Sequence, residues 1–173
     1  MTQGSDQDAQ YLAAAEAFGP ALQRLARATE AHPERRRDLL QDVHVALWQS
    51  FALFDGRCSL STWVWRVAHN VAASHAGRER RHNAGQVGLE DVPHLADGRS
   101  LASAVEEADA LDRLNAWIRR LKPPDRQVLT LYLEGLAAAE IAEIAGFSPG
   151  AVATRISRLK AQLAQEFREQ SHD

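Results

Sequence analysis

The sequence has 173 residues, 45% of them hydrophobic, and its formal net charge is −3. This composition allows a packed core and excludes general disorder, and the charge excludes a uniformly basic nucleic-acid binder. No run of about eighteen apolar residues occurs, and the polar N-terminus lacks the segments of a secretory signal, so we expect a cytoplasmic protein without membrane insertion. The single cysteine, Cys58, excludes a disulfide framework.

The charge is distributed unevenly along the chain. Residues 83–115 hold seven acidic and two basic residues, whereas residues 1–82 and 116–173 each carry a net charge of +1. Local fields, rather than the net charge, decide where a polyanion binds. The acidity therefore lies mostly in the middle of the chain, and the net charge alone does not decide whether another part binds a polyanion.

Helical periodicity dominates the first half of the chain. A first helix is indicated around Leu12, and Pro20 is predicted to begin a second one. After a polar connector at 32–37, apolar residues recur every three or four positions up to Phe51, as one stripe of a helix does. Residues 54–59, FDGRCS, are predicted to form a loop, and Ser61 is predicted to cap the helix that follows.

The last part of the chain matches a helix-turn-helix. One short helix is predicted to end at Gly135 and the next at Gly146. After a tight turn, Ser148 is a good N-cap and Pro149 a good first residue for the final helix. Two helices joined by such a turn are the signature of this motif. Ala137 stands where the first of the two helices would favour Ser or Thr, which weakens the match.

The middle of the chain separates two predicted helical domains. Residues 83–100 include four Gly or Pro residues and show no sustained period, which indicates a linker that acidic residues extend to about 110. No convincing strand occurs, so we predict an all-α fold. It consists of a helical bundle at 1–82, an acidic linker at 83–110 and a helix-turn-helix domain at 111–173.

The final helix has the pattern of a helix that enters a DNA groove. If Val152 and Ile156 face the core, Arg155 and Arg158 are neighbours on the outer surface. Small residues at the start of the helix allow close approach to a major groove, where arginine binds guanine or phosphate. The residues expected to contact DNA are Ser148, Gly150, Ala151, Thr154, Arg155, Ser157, Arg158 and Lys160. The alternative is an ordinary solvated polar face.

The stretch STWVWRVAHNVAASHAGRERR, residues 61–81, combines aromatic residues with cations. Trp63 and Trp65 are two apart and cannot share a helix face, so we expect Trp63 to flank the core and Trp65 to point outward. An exposed aromatic ring beside donors suits stacking on an unpaired base, and arginines suit the phosphate backbone. The alternative is that both tryptophans lie in the core and that the arginines complement the end of the helix dipole.

Two segments resemble the extracytoplasmic-function (ECF) sigma factors of bacterial RNA polymerase. RRDLLQDVHVALWQSFALFDGRCSLSTWVWRVAHNVAASHAGRERR resembles region two of that family, and RLKPPDRQVLTLYLEGLAAAEIAEIAGFSPGAVATRISRLKAQL resembles region four. The resemblance spans about residues 10–168. It implies a protein that binds core RNA polymerase and directs it to promoter DNA, with no enzymatic activity, metal or cofactor of its own.

The resemblance also implies three functional surfaces. Docking on the clamp helices of the β′ subunit would use Asp38, Gln41, Asp42, His44 and Trp48. Reading and melting of the minus-ten element would use Asp55, Arg57, Cys58, Ser59, Trp63, Arg66, His69, Asn70, Arg78, Arg80 and Arg81. The final helix would read the minus-thirty-five element as duplex, next to the β flap, with Lys122 and Arg126 on phosphates. Cys58 and Ala153 depart from the residues common at their positions, so base specificity there stays open.

Two other classes of protein compete with this interpretation. A conventional helix-turn-helix regulator, which dimerises and binds duplex DNA without polymerase, explains the C-terminal half equally well but gives no reason for the N-terminal motif. An enzyme or metal protein is disfavoured, because His44, His69, His75 and Cys58 match no metal-ligand spacing and form no catalytic set.

The resemblance also implies two ways in which the protein could be kept inactive. Sigma factors of this kind are often held inactive by an anti-sigma protein, and the sequence shows surfaces that could be masked but not the masking partner. The acidic linker would also let the two domains close on each other and hide their DNA-binding surfaces until core polymerase separates them.

Overall fold

The fold is all-α, as predicted, in the computed structural model, which describes residues 3–84 and 102–170. Over these ranges seven α-helices and one 3-10 turn occur, and no strand. The helices are α1 (Gln3–Thr29), α2 (Pro33–Ser50), α3 (Leu60–Ala84), α4 (Ala102–Arg120), α5 (Pro123–Leu133), α6 (Ala138–Ala145) and α7 (Pro149–Gln170), and the 3-10 turn is Phe51–Leu53. None of the described helices is both long and apolar enough to cross a membrane.

The first helix corrects one prediction. Pro20 lies inside α1 and does not begin a new helix. A proline in a helix removes one backbone hydrogen bond and costs about 3 kcal/mol. The helix nevertheless continues, because side chains on both sides of the proline, such as Ala14 and Leu22, are buried in the same core. Burial of that continuous face outweighs the local cost.

The start of α3 corrects a second prediction. The cap is Ser59 rather than Ser61: the Ser59 hydroxyl accepts a hydrogen bond of 3.0 Å from the Thr62 amide, and the Ser59 carbonyl one of 3.0 Å from the Trp63 amide. Ser61 therefore lies within the first turn. Gly56, at φ 75°, adopts the left-handed conformation in the loop that leads to Ser59 and the start of α3.

The predicted linker is helical at both ends. Residues 83–84 finish α3, and residues 102–110 form the first half of α4, where alanine and glutamate favour helix. The remainder of the predicted linker, residues 85–101, lies outside the described residues.

The helix-turn-helix is built from α6 and α7. Gly146, at φ 74°, ends α6, and the Ser148 hydroxyl accepts a hydrogen bond of 3.1 Å from the Ala151 amide at the start of α7. The predicted end of α6 at Gly146 and the predicted N-cap of α7 at Ser148 are both confirmed. The missing Ser or Thr at Ala137 is compensated in part, because the Glu140 carboxylate accepts a hydrogen bond of 2.8 Å from the Ala137 amide.

Helices α1–α3 form an N-terminal unit and helices α4–α7 a C-terminal unit, and the two units pack against each other. Helix α1 contacts α4, and α3 contacts α6. One apolar cluster includes Leu25 and Val64 from the N-terminal unit together with Leu131 and Ile144 from the C-terminal unit. In a second cluster, Ala28 of α1 packs among residues of the C-terminal unit.

Among the described residues, three arginine side chains make polar contacts across the same boundary. Arg24 donates two hydrogen bonds of 2.7 Å, from Nε and Nη2, to the two carboxylate oxygens of Glu134. Arg66 donates to the main-chain carbonyl of Glu143 at 2.9 Å, and Arg119 donates to the main-chain carbonyl of Arg27 at 2.7 Å. The units are therefore joined by apolar packing and by directional bonds.

Candidate polymerase and nucleic-acid interfaces

The outer face of α2 presents polar residues opposite a buried stripe. Leu39 and Val43 are buried, whereas Asp38, Gln41 and Asp42 are exposed on the other side of the helix. The Asp42 carboxylate accepts a hydrogen bond of 3.3 Å from Arg78 of α3. These three predicted docking residues, in the middle of α2, are thus available to a partner.

The other two predicted docking residues, His44 and Trp48, are engaged by the start of α1. The Trp48 indole donates to Asp8 at 2.8 Å, and the Tyr11 hydroxyl shares a hydrogen bond of 3.1 Å with Nδ1 of His44. Burial lowers the pKa of His44 below its ordinary value. A partner that docks on α2 would therefore meet a composite edge of α1 and α2, which the pattern of α2 alone does not reveal.

The loop before α3 is polar and exposed. The Arg57 amide and side chain both bond to the Asp55 carboxylate, at 3.1 and 2.8 Å, which closes a turn around Gly56. Ser59 is also exposed, and Cys58 is half-buried. The turn leaves the loop residues facing solvent, as a strand-binding loop requires.

Trp63 forms one wall beside this loop. It is half-buried, its indole N–H donates to the Ser50 hydroxyl at 3.0 Å, and its ring centroid lies 5.2 Å from that of Phe54. The prediction that Trp63 flanks the core is confirmed. Because its polar edge is already bonded, any contact with a base would use the ring face.

Trp65 and His69 are buried, although the sequence predicted that Trp65 points outward and that His69 contacts the DNA strand. Trp65 is buried and meets Phe18 of α1 in a T-shaped contact with centroids 6.3 Å apart. His69 is also buried, its Nε2 has no hydrogen-bond partner among the residues described, and burial lowers its pKa to about 4. Trp65 is covered by α1, and His69 is covered by the C-terminal unit, because α6 packs against α3. The periodicity of one segment can indicate neither contact.

His69 also lines a cavity of about 260 Å³ between the units, together with Thr130 of α5 and Arg80. Arg66, another predicted strand contact, bonds to α6 as described above. Of these two predicted minus-ten residues, His69 is therefore covered by the C-terminal unit, and Arg66 is bonded to that unit while its side chain stays 42% exposed.

The remaining minus-ten candidates lie on the exposed surface of α3. Asn70 and Arg78 are exposed, and Arg80 and Arg81 are exposed and form no ion pair with any described residue. Lys122 is exposed as well, but Arg126 is half-buried and donates to the main-chain carbonyls of Arg119 and Leu121, at 2.7 and 3.2 Å. Arg126 thus fixes the end of α4, and its pKa is lowered by burial and by nearby Arg80.

Helix α7 presents the predicted duplex-reading face. Most of the expected contacts are exposed, and Ala151 and Arg155 are half-buried; the exposed ones are Ser148, Gly150, Thr154, Ser157, Arg158 and Lys160. Two residues that the sequence pattern did not identify shape this face. Asp125, thirty positions before Arg155, binds both arginines, and the Phe147 ring lies under the Arg155 guanidinium.

A buried charge cluster in the N-terminal unit was also missed. Glu30 accepts hydrogen bonds from the His32 amide at 2.8 Å and from His75 at 3.1 Å, and Arg35 pairs with Glu79 at 3.0 Å. Burial raises the pKa of Glu30, but these hydrogen bonds and the charge of Arg35 lower it below its ordinary value overall. Candidate ligand atoms of Glu30, His75 and Glu79 lie within 4.8 Å of one another, yet Arg35 already pairs with both carboxylates. The cluster therefore ties α1, α2 and α3 together.

Comparison with known proteins extends these observations. Residues 14–82 match the family model for Sigma-70 region 2, and residues 111–163 match that for Sigma-70, region 4. The ECF RNA polymerase sigma factor SigM of Mycobacterium tuberculosis is 30% identical over 145 residues, covering 83% of this chain and 70% of that protein. The ECF RNA polymerase sigma factor SigW of Bacillus subtilis is 27% identical over 140 residues, covering 76% and 75%. The fold is also similar to that of CnrH, solved in complex with the cytosolic domain of CnrY, with a TM-score of 0.69, 21% identity and coverage of 97% of this chain and 94% of that one.

Proposed function

This chain belongs to the ECF sigma factors of RNA polymerase, and we propose that its two units divide promoter recognition between them. The N-terminal unit holds core polymerase and reads the minus-ten element, and the C-terminal unit reads the minus-thirty-five element. The observation that carries this division is the presence, in one chain, of an exposed polar loop beside Trp63 and a capped helix-turn-helix with paired arginines. A dimeric regulator would need only the second of these features.

Core polymerase docks on α2 in this proposal. Asp38, Gln41 and Asp42 are exposed along the middle of the helix and can bind a basic helical partner such as the β′ clamp helices. His44 and Trp48 contribute farther along the helix, through the edge that they share with α1. The duplex contacts of α7 lie in the other unit, where the β flap would hold them at the correct spacing.

The minus-ten strand binds along the loop and the face of α3. The exposed loop would receive an extruded base, and the Trp63 ring would stack beside it, which offsets the few kcal/mol that unstacking costs. Arg80 and Arg81, which have no acidic partner among the described residues, would hold the strand backbone.

The packed arrangement of the units is proposed to be the closed, free state. Arg66 and His69 would be needed on the strand, but Arg66 is bonded to α6 while 42% of its side chain stays exposed, and His69 is buried beside the C-terminal unit. Promoter reading therefore requires the units to separate, and core polymerase would drive this by holding them apart. A protein partner is proposed to act on the same equilibrium, with support from the similar fold of CnrH, which was solved with the cytosolic domain of CnrY.

In vitro transcription tests the proposed function. Purified core polymerase is incubated with a genomic library, with and without this protein, and transcript starts are mapped. We expect new, discrete start sites that share minus-ten and minus-thirty-five motifs. If no new start appears and core polymerase does not co-purify, the proposal is wrong, and binding to duplex DNA alone would favour a conventional regulator.

A further inference from the structure

A single carboxylate holds both arginines of the duplex-reading helix. Oδ1 of Asp125, in the first turn of α5, accepts a hydrogen bond of 2.5 Å from Nη1 of Arg155 and one of 2.9 Å from Nη2 of Arg158. The Asp125 side chain is 15% exposed, whereas those of Arg155 and Arg158 are 30% and 51% exposed. The carboxylate thus lies beneath the reading face and the guanidiniums lie above it.

The two arginines are held to different degrees. Arg155 has a second contact, because its guanidinium carbon lies 4.6 Å from the centroid of the Phe147 ring in the turn before α7. Arg158 uses only Nη2 on Asp125, and its Nη1 and Nε make no hydrogen bond to the described residues. Arg155 is therefore held by two contacts and Arg158 by one, and the guanidinium of Arg158, the more exposed of the two, has two nitrogen atoms left to donate to a partner.

Such an arrangement acts differently on specific and non-specific DNA. An arginine that is already oriented loses less freedom when it forms two hydrogen bonds to guanine. A carboxylate beside the reading face also repels phosphates, which every sequence offers equally. Specificity is a difference between affinities, and weakening the wrong complex increases it.

We propose that Asp125 is a specificity-determining residue for duplex recognition. It orients Arg158 toward a base edge and reduces the sequence-independent attraction of α7 to the DNA backbone. This inference rests on the proposed role of α7 at the minus-thirty-five element.

The test uses the holoenzyme formed by the full chain and core polymerase. Its affinity is measured for a promoter found in the transcription experiment and for the same promoter with a scrambled minus-thirty-five element, over a range of salt concentrations. In Asp125→Asn, which keeps the shape and removes the charge, we expect discrimination to fall about 5-fold or more. Affinity for the scrambled promoter should rise, and the slope of log K against log salt should become steeper by about 1, because a freed arginine gains a phosphate.

Two further variants test whether the effect depends on the charge and position of the Asp125 carboxylate. Glu169→Gln, which removes an exposed carboxylate from the far end of α7, should leave discrimination unchanged. Asp125→Glu keeps the charge but displaces the oxygen, so it should lose discrimination without gaining affinity for the scrambled promoter.

The possible outcomes separate this inference from the proposed function. Discrimination by a folded Asp125→Asn variant within about twofold of the unchanged protein would overturn the inference. So would unfolding of both Asp125 variants, which would make Asp125 a residue of the fold only. If the unchanged protein itself ignored the minus-thirty-five sequence, the proposed role of α7 would fail instead.

Discussion

The ion pair between Arg24 and Glu134 allows the closed state to be tested by one substitution. The pair crosses from α1 to the end of α5 and is bidentate, with both bonds at 2.7 Å. Arg24 is 60% exposed, which reduces its contribution through solvent screening, but Glu134 is only 13% exposed and would be left without its partner. Arg24→Gln should therefore destabilise the closed state by about 1 kcal/mol.

This change should increase the fraction of free protein that is open about fivefold. When only the open form binds a ligand, the apparent affinity rises in proportion to the open fraction. The free Arg24→Gln variant should then bind a fluorescent single strand carrying the minus-ten sequence about fivefold more tightly, as measured by anisotropy.

Arg37→Gln is the matched control. It removes the same charge from an exposed ion pair, that of Arg37 with Glu34, which lies within α2 and crosses no boundary. It should leave strand affinity unchanged. Equal strand affinities for the Arg24 and Arg37 variants would show that the Arg24–Glu134 pair does not restrain the units, and would refute the reasoning.

Two further predictions concern α3. Trp63→Ala should still bind core polymerase but open promoters poorly, because the ring that supports the strand is lost; permanganate reactivity of the melted bases would measure this. His69 is buried with a pKa of about 4, so the unfolded chain binds one more proton than the folded chain between about pH 6.5 and 4, and stability should fall by about 3 kcal/mol as the pH falls through that window. About 2 kcal/mol of this loss falls between pH 7 and pH 5, and His69→Leu should remove most of it in urea unfolding at those two pH values.

Each of the predictions for Trp63 and His69 has one result that would contradict it. Normal promoter opening by a folded Trp63→Ala variant would remove this ring from the mechanism. An identical loss of stability in His69→Leu and the unchanged protein would assign the acid effect to other groups. Glu30 also stabilises the folded chain, but its pKa is lowered, so this stabilisation is present above its ordinary pKa of 4.5 and is lost only as the pH falls below that value. It therefore does not affect the comparison of the two proteins at pH 7 and pH 5.

The helices and their ends could largely be predicted from the sequence, because they depend on local patterns. The stripe of α2 is buried through Leu39 and Val43, and Gly146 and Ser148 end and begin helices as their chemistry predicts. The resemblance to two regions of a sigma factor also depends on contiguous motifs, and the family comparison confirms it.

The wrong predictions for Pro20, Trp65 and His69 share a different cause, which is contact between distant segments, whereas the cap at Ser59 instead of Ser61 is a local difference of two residues. Pro20 stays inside a helix because the core continues past it, and Trp65 is buried because Phe18 meets it from another helix. His69 is buried because the C-terminal unit covers α3. The hydrogen bond between Arg155 and Asp125 joins two different helices, so the residue pattern of one helix cannot predict it.

We propose that the two units are closed in the free protein and separate on core polymerase. The most direct test is energy transfer between dyes attached through unnatural amino acids at Glu16 and Ala161, which are exposed on different units, with Cys58 left unchanged. We predict efficient transfer in the free protein and a clear loss of transfer when core polymerase is added. Low transfer in the free protein would show that the free units are not closed, and unchanged high transfer in a holoenzyme that transcribes would show that they do not separate.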